Sequence, residues 1–571
     1  MEKETIIEMR GITKRFGGHV IANNNVTMDV KRGEILSVLG ENGCGKTTLM
    51  NMLAGIYYPD EGTIIIGGEE ATIRSPKDAF RYNIGMIHQH FKLIDVFTAA
   101  ENIVLGTGEG EKYDLKEAKK RIIAMCEKYG FHIDPDKKIH EMSVSEKQTV
   151  EIIKVLYRGA DVLILDEPTA VLTPQEIRKL FDVLRAMRED GKSVLIITHK
   201  LNEVMEISDR VAVLRKGEHI ATVNTADTNE RELADMMVGQ KVSLNIDRPL
   251  PEDPQLRLAV RDLTMTGPDG QRVLDGVSFD AFSGEILGIA GIAGSGQREL
   301  LEAIAGLHHL DFGTVTYYNP KKDKPITFFH KSFERVMELA HEGMLRYTDG
   351  RPFDGKGANG KPLAKKEIER LVKSGEILFN EDEIINLREK TPLQIKELGV
   401  RFSFVPEDRL GMGLVGNMDI TDNMMLRSYR RGDSIFVDRK APENLANEII
   451  QNLQVVTPDT HTAVRKLSGG NVQKVLVGRE IAAGPKVLMA AYPVRGLDIN
   501  SSYLIYNLLT EQKKNGVAVI FVGEDLDVLL SLCDRIMVVA GGKVTGIVDA
   551  RTAEKDEIGL MMTGADVPRK E

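Results

Sequence analysis

Gly40-Glu41-Asn42-Gly43-Cys44-Gly45-Lys46-Thr47 is a glycine-spaced loop that ends in a lysine and a hydroxyl. It follows the apolar run ILSVL and leads into TLMNML, the strand–loop–helix setting in which such a loop cradles phosphate. The glycines let backbone N–H groups curl around phosphate oxygens, and the helix N-terminus adds positive potential. In this setting Lys46 reaches the β- and γ-phosphates, Thr47 ligates Mg²⁺, and Thr48 follows in the first helical turn. A second chemical motif, VLILDEP, puts Asp166 and Glu167 at the end of a buried run. An acidic pair there is costly unless it serves a cation or a proton. Asp166 reads as the carboxylate on the Mg²⁺ side and Glu167 as the base that polarises an attacking water. The plainer alternative is two carboxylates capping the next helix.

These residues need elements to hold them, and the chain supplies two sets. GEILSVLGENGCGKTTLMNMLAG from Gly33 matches GEILGIAGIAGSGQRELLEAIAG from Gly284, an offset of 284 − 33 = 251. ISDRVAVLRKG from Ile207 matches LCDRIMVVAGG from Leu532, an offset of 532 − 207 = 325. The sequence is thus an internal duplication, with extra length in the second copy. That length is assigned to about 320–390, a polar insertion with FDGKGANGKP as a flexible centre and helical spacing on both sides. It reads as a surface excursion that adds little core. Each copy alternates buried-strand runs with helices, and the stretch from Gln89 to Asp161 turns helical. The expected fold is α/β: two tandem phosphate-loop domains, each an α/β core with an inserted helical subdomain. The expected boundaries are 1–245 for the first domain, 246–256 for a short proline-bearing connector that acts as a hinge, and 257–571 for the second.

LSGGNVQK, from Leu467, is a serine and two glycines before a helical run. Alone it is explained equally well as a helix N-cap. In company with the loop and the DE pair, it makes nearly the whole chain resemble the ABC ATPase family. The resemblance implies that Ser468, Gly469 and Gly470 bind the γ-phosphate of a nucleotide held by the opposing half. It further implies that Gln89 is the Q-loop residue and a Mg²⁺ neighbour, that His199 in IITHK is the switch histidine, that Phe16 stacks on adenine, and that Asp498 belongs to the D-loop. A core aromatic remains the alternative for Phe16, and an ordinary strand-end histidine for His199. Val405-Pro-Glu-Asp-Arg409 stands at the second Q-loop position, as in the fused ATPase subunits of bacterial simple-sugar and nucleoside importers. The segment HQHFKLIDVFTAAENIVLG is most similar to the branch that works with lipoprotein nucleoside-binding partners.

The duplication allows each residue to be compared with its twin. Lys46 pairs with Gln297, Thr47 with Arg298, Asp166 with Ala491, Glu167 with Tyr492, Gln89 with Glu407, His199 with Glu524 and Phe16 with Gly267. The acids at 407 and 524 are expected to repel a triphosphate unless turned away or bridged by metal. The signature segments differ in the opposite sense. The second half has Ser468-Gly469-Gly470, whereas the first has Ser143-Val144-Ser145, whose side chains obstruct a close backbone approach. Paired head to tail, as the resemblance implies, the good loop meets the good signature. One hydrolytic site made from both halves is the expectation, with one degenerate site beside it.

Composition sets the outer limits. The chain has 571 residues and a formal net charge of −10, which argues against a general attraction to nucleic acid or anionic lipid. Three scattered cysteines suit a reducing cytosol rather than a disulfide framework. No run reaches the roughly 18 apolar residues of a spanning helix. The importer resemblance therefore implies ATP and Mg²⁺ as cofactors and two transmembrane permease subunits as partners. It also implies an extracytoplasmic solute-binding protein as an indirect partner and a peripheral position on the cytoplasmic face of the membrane. A tandem-ABC translation factor acting on ribosomes is the competing reading. Such proteins carry two competent sites and a long basic helical linker, which this sequence lacks.

Overall fold

The computed structural model describes residues 3–17, 20–89, 91–106, 114–241, 245–319, 324–325, 333–341, 345–348, 352–357, 362–379, 383–398, 400–429 and 438–564. In the first half, six strands form a sheet in the order Glu218–Asn224, Arg210–Arg215, Ile35–Leu39, Ser193–Thr198, Val162–Asp166, Ile84–Ile87. The four central strands, Ile35–Leu39, Ser193–Thr198, Val162–Asp166 and Arg210–Arg215, are rich in Val, Ile and Leu and largely buried, as parallel strands covered on both faces must be. The second half repeats the order with Lys543–Asp549, Arg535–Ala540, Ile286–Ala290, Ala518–Val522, Val487–Ala491 and Phe402–Val405. A four-stranded antiparallel sheet packs on each core. It contains Val20–Lys31, Thr5–Phe16, Glu61–Ile66 and Glu69–Ala71 in the first half, and Arg272–Phe282, Leu256–Thr266, Phe312–Asn319 and Glu383–Asn386 in the second.

The helical excursion of the first half comprises Ala99–Val104, Leu115–Tyr129 and Val144–Tyr157. Capping boxes start two of them, Thr98 with Glu101 and Ser143 with Glu146, each satisfying two end groups that would otherwise lack partners. Ile420–Met425, Lys440–Asn452 and Gly469–Ala482 are the second-half counterparts. Among the described residues, no helix is long and apolar enough to cross a membrane.

Two expectations need correction. The insertion is not a coreless excursion. It carries a three-stranded sheet (Lys324–Pro325, Ile377–Phe379, Leu345–Tyr347) and the helices Phe333–His341 and Lys365–Lys373. Val336, Leu339, Phe353, Ile368, Leu371 and Ile377 are buried together in a cluster of their own. The polar composition concealed it because each helix gives one narrow apolar stripe to the shared cluster and charge to water. Of the proposed flexible centre, residues 358–361 lie outside the described residues. The insertion also ends earlier than 390, because Glu383–Asn386 already pairs with Phe312–Asn319. The counterpart pairing in the first half is a hairpin turned by Gly67 and Gly68, so the insertion grows out of that turn.

The connector is likewise not free along its whole length. Arg248 donates to the carbonyls of Leu530 (2.7 Å) and Cys533 (2.9 Å), Thr510 donates to the Asp247 carbonyl (3.2 Å), and Ile246 packs on the second core. From Ile246 onward it belongs to the second half. Residues 242–244 lie outside the described residues.

The halves touch reciprocally. Helix Glu230–Val238 packs on Ile499–Lys514, and Lys555–Met562 packs on Pro174–Glu189. Ile499 sits against a cluster of first-half residues that includes Leu39, Val204, Leu233 and Met237. Asn202 donates to Asp527 (2.5 Å), Gln175 to the Asp556 carbonyl (2.8 Å), and Arg178 pairs with Asp556 (2.5 Å).

Candidate functional site

The loop after Ile35–Leu39 closes so tightly that only glycine fits at two points. A Cβ on Gly40 would stand 2.4 Å from the Leu214 carbonyl oxygen, and one on Gly45 would stand 2.2 Å from that of Ala22. Gly45 also has φ +98°, which a side chain would strain. Asn42 and Gly43 form the exposed tip, and Cys44 lies buried beneath them, its thiol pushed up by burial. Lys46 is buried at the start of helix Lys46–Leu53, with its ammonium donating to the carbonyls of Gly40 (2.7 Å) and Glu41 (2.9 Å). Thr48 follows in the first helical turn. Among the described residues those carbonyls are the hydrogen-bond acceptors of Lys46, and no carboxylate pairs with it.

Thr47 Oγ1 donates to Asp166 Oδ1 across 3.3 Å. Burial, and then the neighbouring Glu167, hold Asp166 above the usual carboxylate range, against the pull of Thr47 and Lys46. Glu167 has a left-handed φ of +48°, rare for a residue with a side chain. Its N–H bonds the Ile197 carbonyl (3.0 Å), which fixes that turn. Gln89 Nε2 donates to Glu167 Oε2 (3.0 Å), and His199 Nδ1 lies 3.0 Å from Oε1, a contact that requires the proton on Nδ1. The bond from His199 holds the Glu167 carboxyl below its ordinary range despite burial. Phe16 ends its strand with its ring 5.2 Å from Tyr57, edge to face, and the Lys14 ammonium 5.6 Å from its centroid.

The second-half residues lie on a line that leads back to this loop. Ser468 caps helix Gly469–Ala482 and accepts from the side chain of Asn471 (3.0 Å). Asp498 caps helix Ile499–Lys514, accepting from Ser501 N (2.8 Å) and Oγ (2.7 Å). A Cβ on Gly470 would meet Asp498 Oδ2 and Ser501 Oγ at 3.5 Å. The Glu41 carboxyl faces the Ile499 amide and Asp498, and burial followed by the Asp498 charge pushes it up. Gly470, Asp498, Ile499 and Glu41 thus run in series from one half to the other. Among the described residues, no hydrogen bond or ion pair joins Ser468, Gly469 or Gly470 directly to Lys46 or Thr47.

At the twin site the backbone is conserved and the chemistry replaced. Tyr492 has φ +47° and bonds the Val522 carbonyl (3.0 Å), as Glu167 bonds Ile197. Gln297 Nε2 donates to the Ile292 carbonyl (3.1 Å), replacing the Lys46 brace without its charge. Arg298 pairs with Glu302 (2.9 Å), which His308 also meets (2.7 Å). Burial, with Glu524 and Glu407 nearby, pushes the Tyr492 phenol up to about 12. Glu407 and Glu524 share a cation that the chain itself supplies. Arg495 pairs with Glu407 and lies 3.0 Å from Glu524. Its guanidinium also lies 5.7 Å from the Tyr492 ring centroid. Sequence reasoning missed Arg495. Its signal was available, since Ala170 stands opposite it at the same offset of 325.

A glycine loop, an acidic pair and a histidine bonded to it, on this duplicated α/β frame, are the arrangement of an ATP-binding cassette. The chain belongs to the ABC transporter family, in its branch of import ATP-binding proteins, and is an ATPase. The ABC transporter model matches residues 23–170. The nucleoside import ATP-binding protein NupA of Lactococcus lactis subsp. cremoris is 37% identical over 572 residues, covering 99% of this chain and 100% of that one. The guanosine import ATP-binding protein NupO of Bacillus subtilis is 39% identical and covers 98% of each chain. The ribose import ATP-binding protein RbsA 1 of Rubrobacter xylanophilus is 34% identical, over 98% of this chain and 99% of that one.

Proposed function

We propose that this chain is the energy-coupling subunit of an importer for a nucleoside or simple sugar, with ATP hydrolysed at one composite site. The observation that carries the reading is the arrangement around Glu167. Gln89 and His199 hold both of its oxygens while Thr47 and Asp166 meet beside Lys46, and among the described residues the second half has no carboxylate held in this way, the twin of Glu167 being Tyr492. Lys46 and the loop N–H groups bind the phosphates, and Phe16 offers a face to the base. Glu167, fixed by its two partners, orients water and takes its proton. Bound Mg²⁺ would neutralise charge on the phosphate oxygens, and Thr47, Asp166 and Gln89 are the residues that would hold it. Ser468, Gly469, Gly470 and Asp498 complete the site from the second half. The line Glu41–Ile499–Asp498–Gly470 supports that pairing.

Two permease subunits and an extracytoplasmic solute-binding protein complete the transporter, with this chain peripheral on the cytoplasmic face. The names of the relatives, import ATP-binding proteins for a nucleoside, guanosine and ribose, support import and a nucleoside or simple sugar as cargo. Affinity purification of the full chain from its native membrane tests it. Co-purified permeases and a captured nucleoside or sugar are expected. A chain recovered on ribosomes without permeases would overturn the reading.

A further inference from the structure

Three loops follow adjacent strands of each core sheet and meet at one point. In the first half they bring Gln89, Glu167 and His199 together, with the carboxylate in the middle and its two partners on either side. In the second half the same loops bring Glu407, Arg495 and Glu524 together, with a cation in the middle and a carboxylate on either side. The arrangement is kept and the charge inverted. Decay alone would leave two acids facing each other, and the change from Ala170 to Arg495 is what makes the pair tolerable.

The cluster reaches further than its first-half twin. Arg409 donates through Nη2 to the Arg495 carbonyl and through Nη1 to the Gly469 carbonyl (3.3 Å). Phe91 stands opposite Arg409 at the offset 407 − 89 = 318, so the first half has no such link. Arg409 pairs with no carboxylate among the described residues, and burial depresses it. Its guanidinium is spent on two backbone carbonyls, one from the loop that leads to Asp498 and one from the signature turn. Arg298, Glu407, Arg409, Leu467 and Gly469 line the cleft between them, of about 560 Å³.

We infer that Arg495, held by Glu407 and Glu524 and tied through Arg409 to the first turn of helix Gly469–Ala482, is a positioning residue for the competent site. It fastens the signature turn to the second core sheet, so this half presents Ser468 and Gly470 without a nucleotide of its own. An isolated exposed ion pair would be weak, but here two carboxylates and two carbonyls share one pair of arginines as a network. The inference rests on the composite-site reading, in which that signature serves Lys46 and Thr47.

The test uses the full-length chain as wild type, Arg495→Ala, the full charge exchange Glu407→Arg and Glu524→Arg with Arg495→Glu, and Glu167→Gln. The first measurement is amide hydrogen exchange without nucleotide. Arg495→Ala should speed exchange across Gln473–Val477 by about tenfold or more, and the charge exchange should restore it. The second is affinity for the fluorescent analogue MANT-ATP, which should stay within about twofold in both variants. The third is ATP turnover, where Arg495→Ala should lower kcat by roughly 10–100-fold, the scale of a small misplacement, and the exchange should recover most of it. Unchanged exchange or unchanged kcat in Arg495→Ala overturns the inference. So does loss of MANT-ATP affinity in step with kcat, or a folded charge exchange that recovers neither property. Glu167→Gln separates the two levels. If it keeps wild-type turnover the composite-site reading fails, whereas if it is silent and Arg495→Ala is normal only the clamp fails.

Discussion

Glu167 sits in a backbone conformation that few side chains accept, and its twin Tyr492 keeps the same conformation after losing the chemistry. The turn is therefore a property of the frame, and the side chain placed on it differs between the halves. Lys46→Ala and Glu167→Gln should each cut steady-state ATP turnover by ~10²–10⁴, and the Gln variant should still bind MANT-ATP. The His199 bond holds the Glu167 carboxyl low, so removing it must let the carboxyl rise. In His199→Ala, the acid limb of kcat at saturating ATP should accordingly move to higher pH, because the base is now protonated sooner. A limb that stays in place, or moves down, would show that Glu167 is not the group titrating. Gln297→Ala should leave turnover near wild type. It removes a buried loop brace and should cost ~1–3 kcal/mol, read as a lower Tm.

The insertion carries its own small core at one end of a hairpin. It grows from the tip of a hairpin and satisfies its own apolar groups, Leu339, Ile368 and Leu371 among them. Replacing 320–382 with Gly-Gly would recreate the turn of the first half. ATP turnover of that variant should match wild type, and a silent but folded variant would mean the insertion braces the halves. Leu371→Ala should cost ~2–5 kcal/mol locally, seen as early protease cleavage within the insertion while turnover persists.

At the scale of the whole molecule, the halves form one unit through contacts that each makes with the other's helix. Gly559 lets helix Lys555–Met562 approach the first half closely, since a Cβ there would lie 2.6 Å from Gln175 Oε1 and 2.7 Å from Pro174 Cδ. Gly559→Val should push the helices apart without unfolding either core. Calorimetry should then resolve two transitions where wild type gives one, and ATP turnover should fall because the proposed composite site needs both halves. A single transition with wild-type turnover would mean that the surface adapts and that other contacts govern docking.

Much of this was legible in the sequence because it is carried by contiguous residues. Gly40–Thr47, the run ending at Asp166 and Glu167, and the capped start at Ser468 each specify a local conformation from neighbours alone. The duplication then distinguishes the two loops residue by residue, since Lys46 and Gln297 occupy equivalent places on the same frame. Other features were decided only by the tertiary structure. Glu407 and Arg495 are 88 residues apart, and Arg409 and Gly469 are 60 apart, so no local pattern marks their meeting. The acids at 407 and 524 looked repulsive because a charge is judged by its surroundings, and the arginine between them arrives from another loop. The connector looked free because its prolines describe its own backbone and not the carbonyls of Leu530 and Cys533 that Arg248 reaches. Local backbone preference is written in short segments, whereas pairing across loops depends on where the sheet brings their ends.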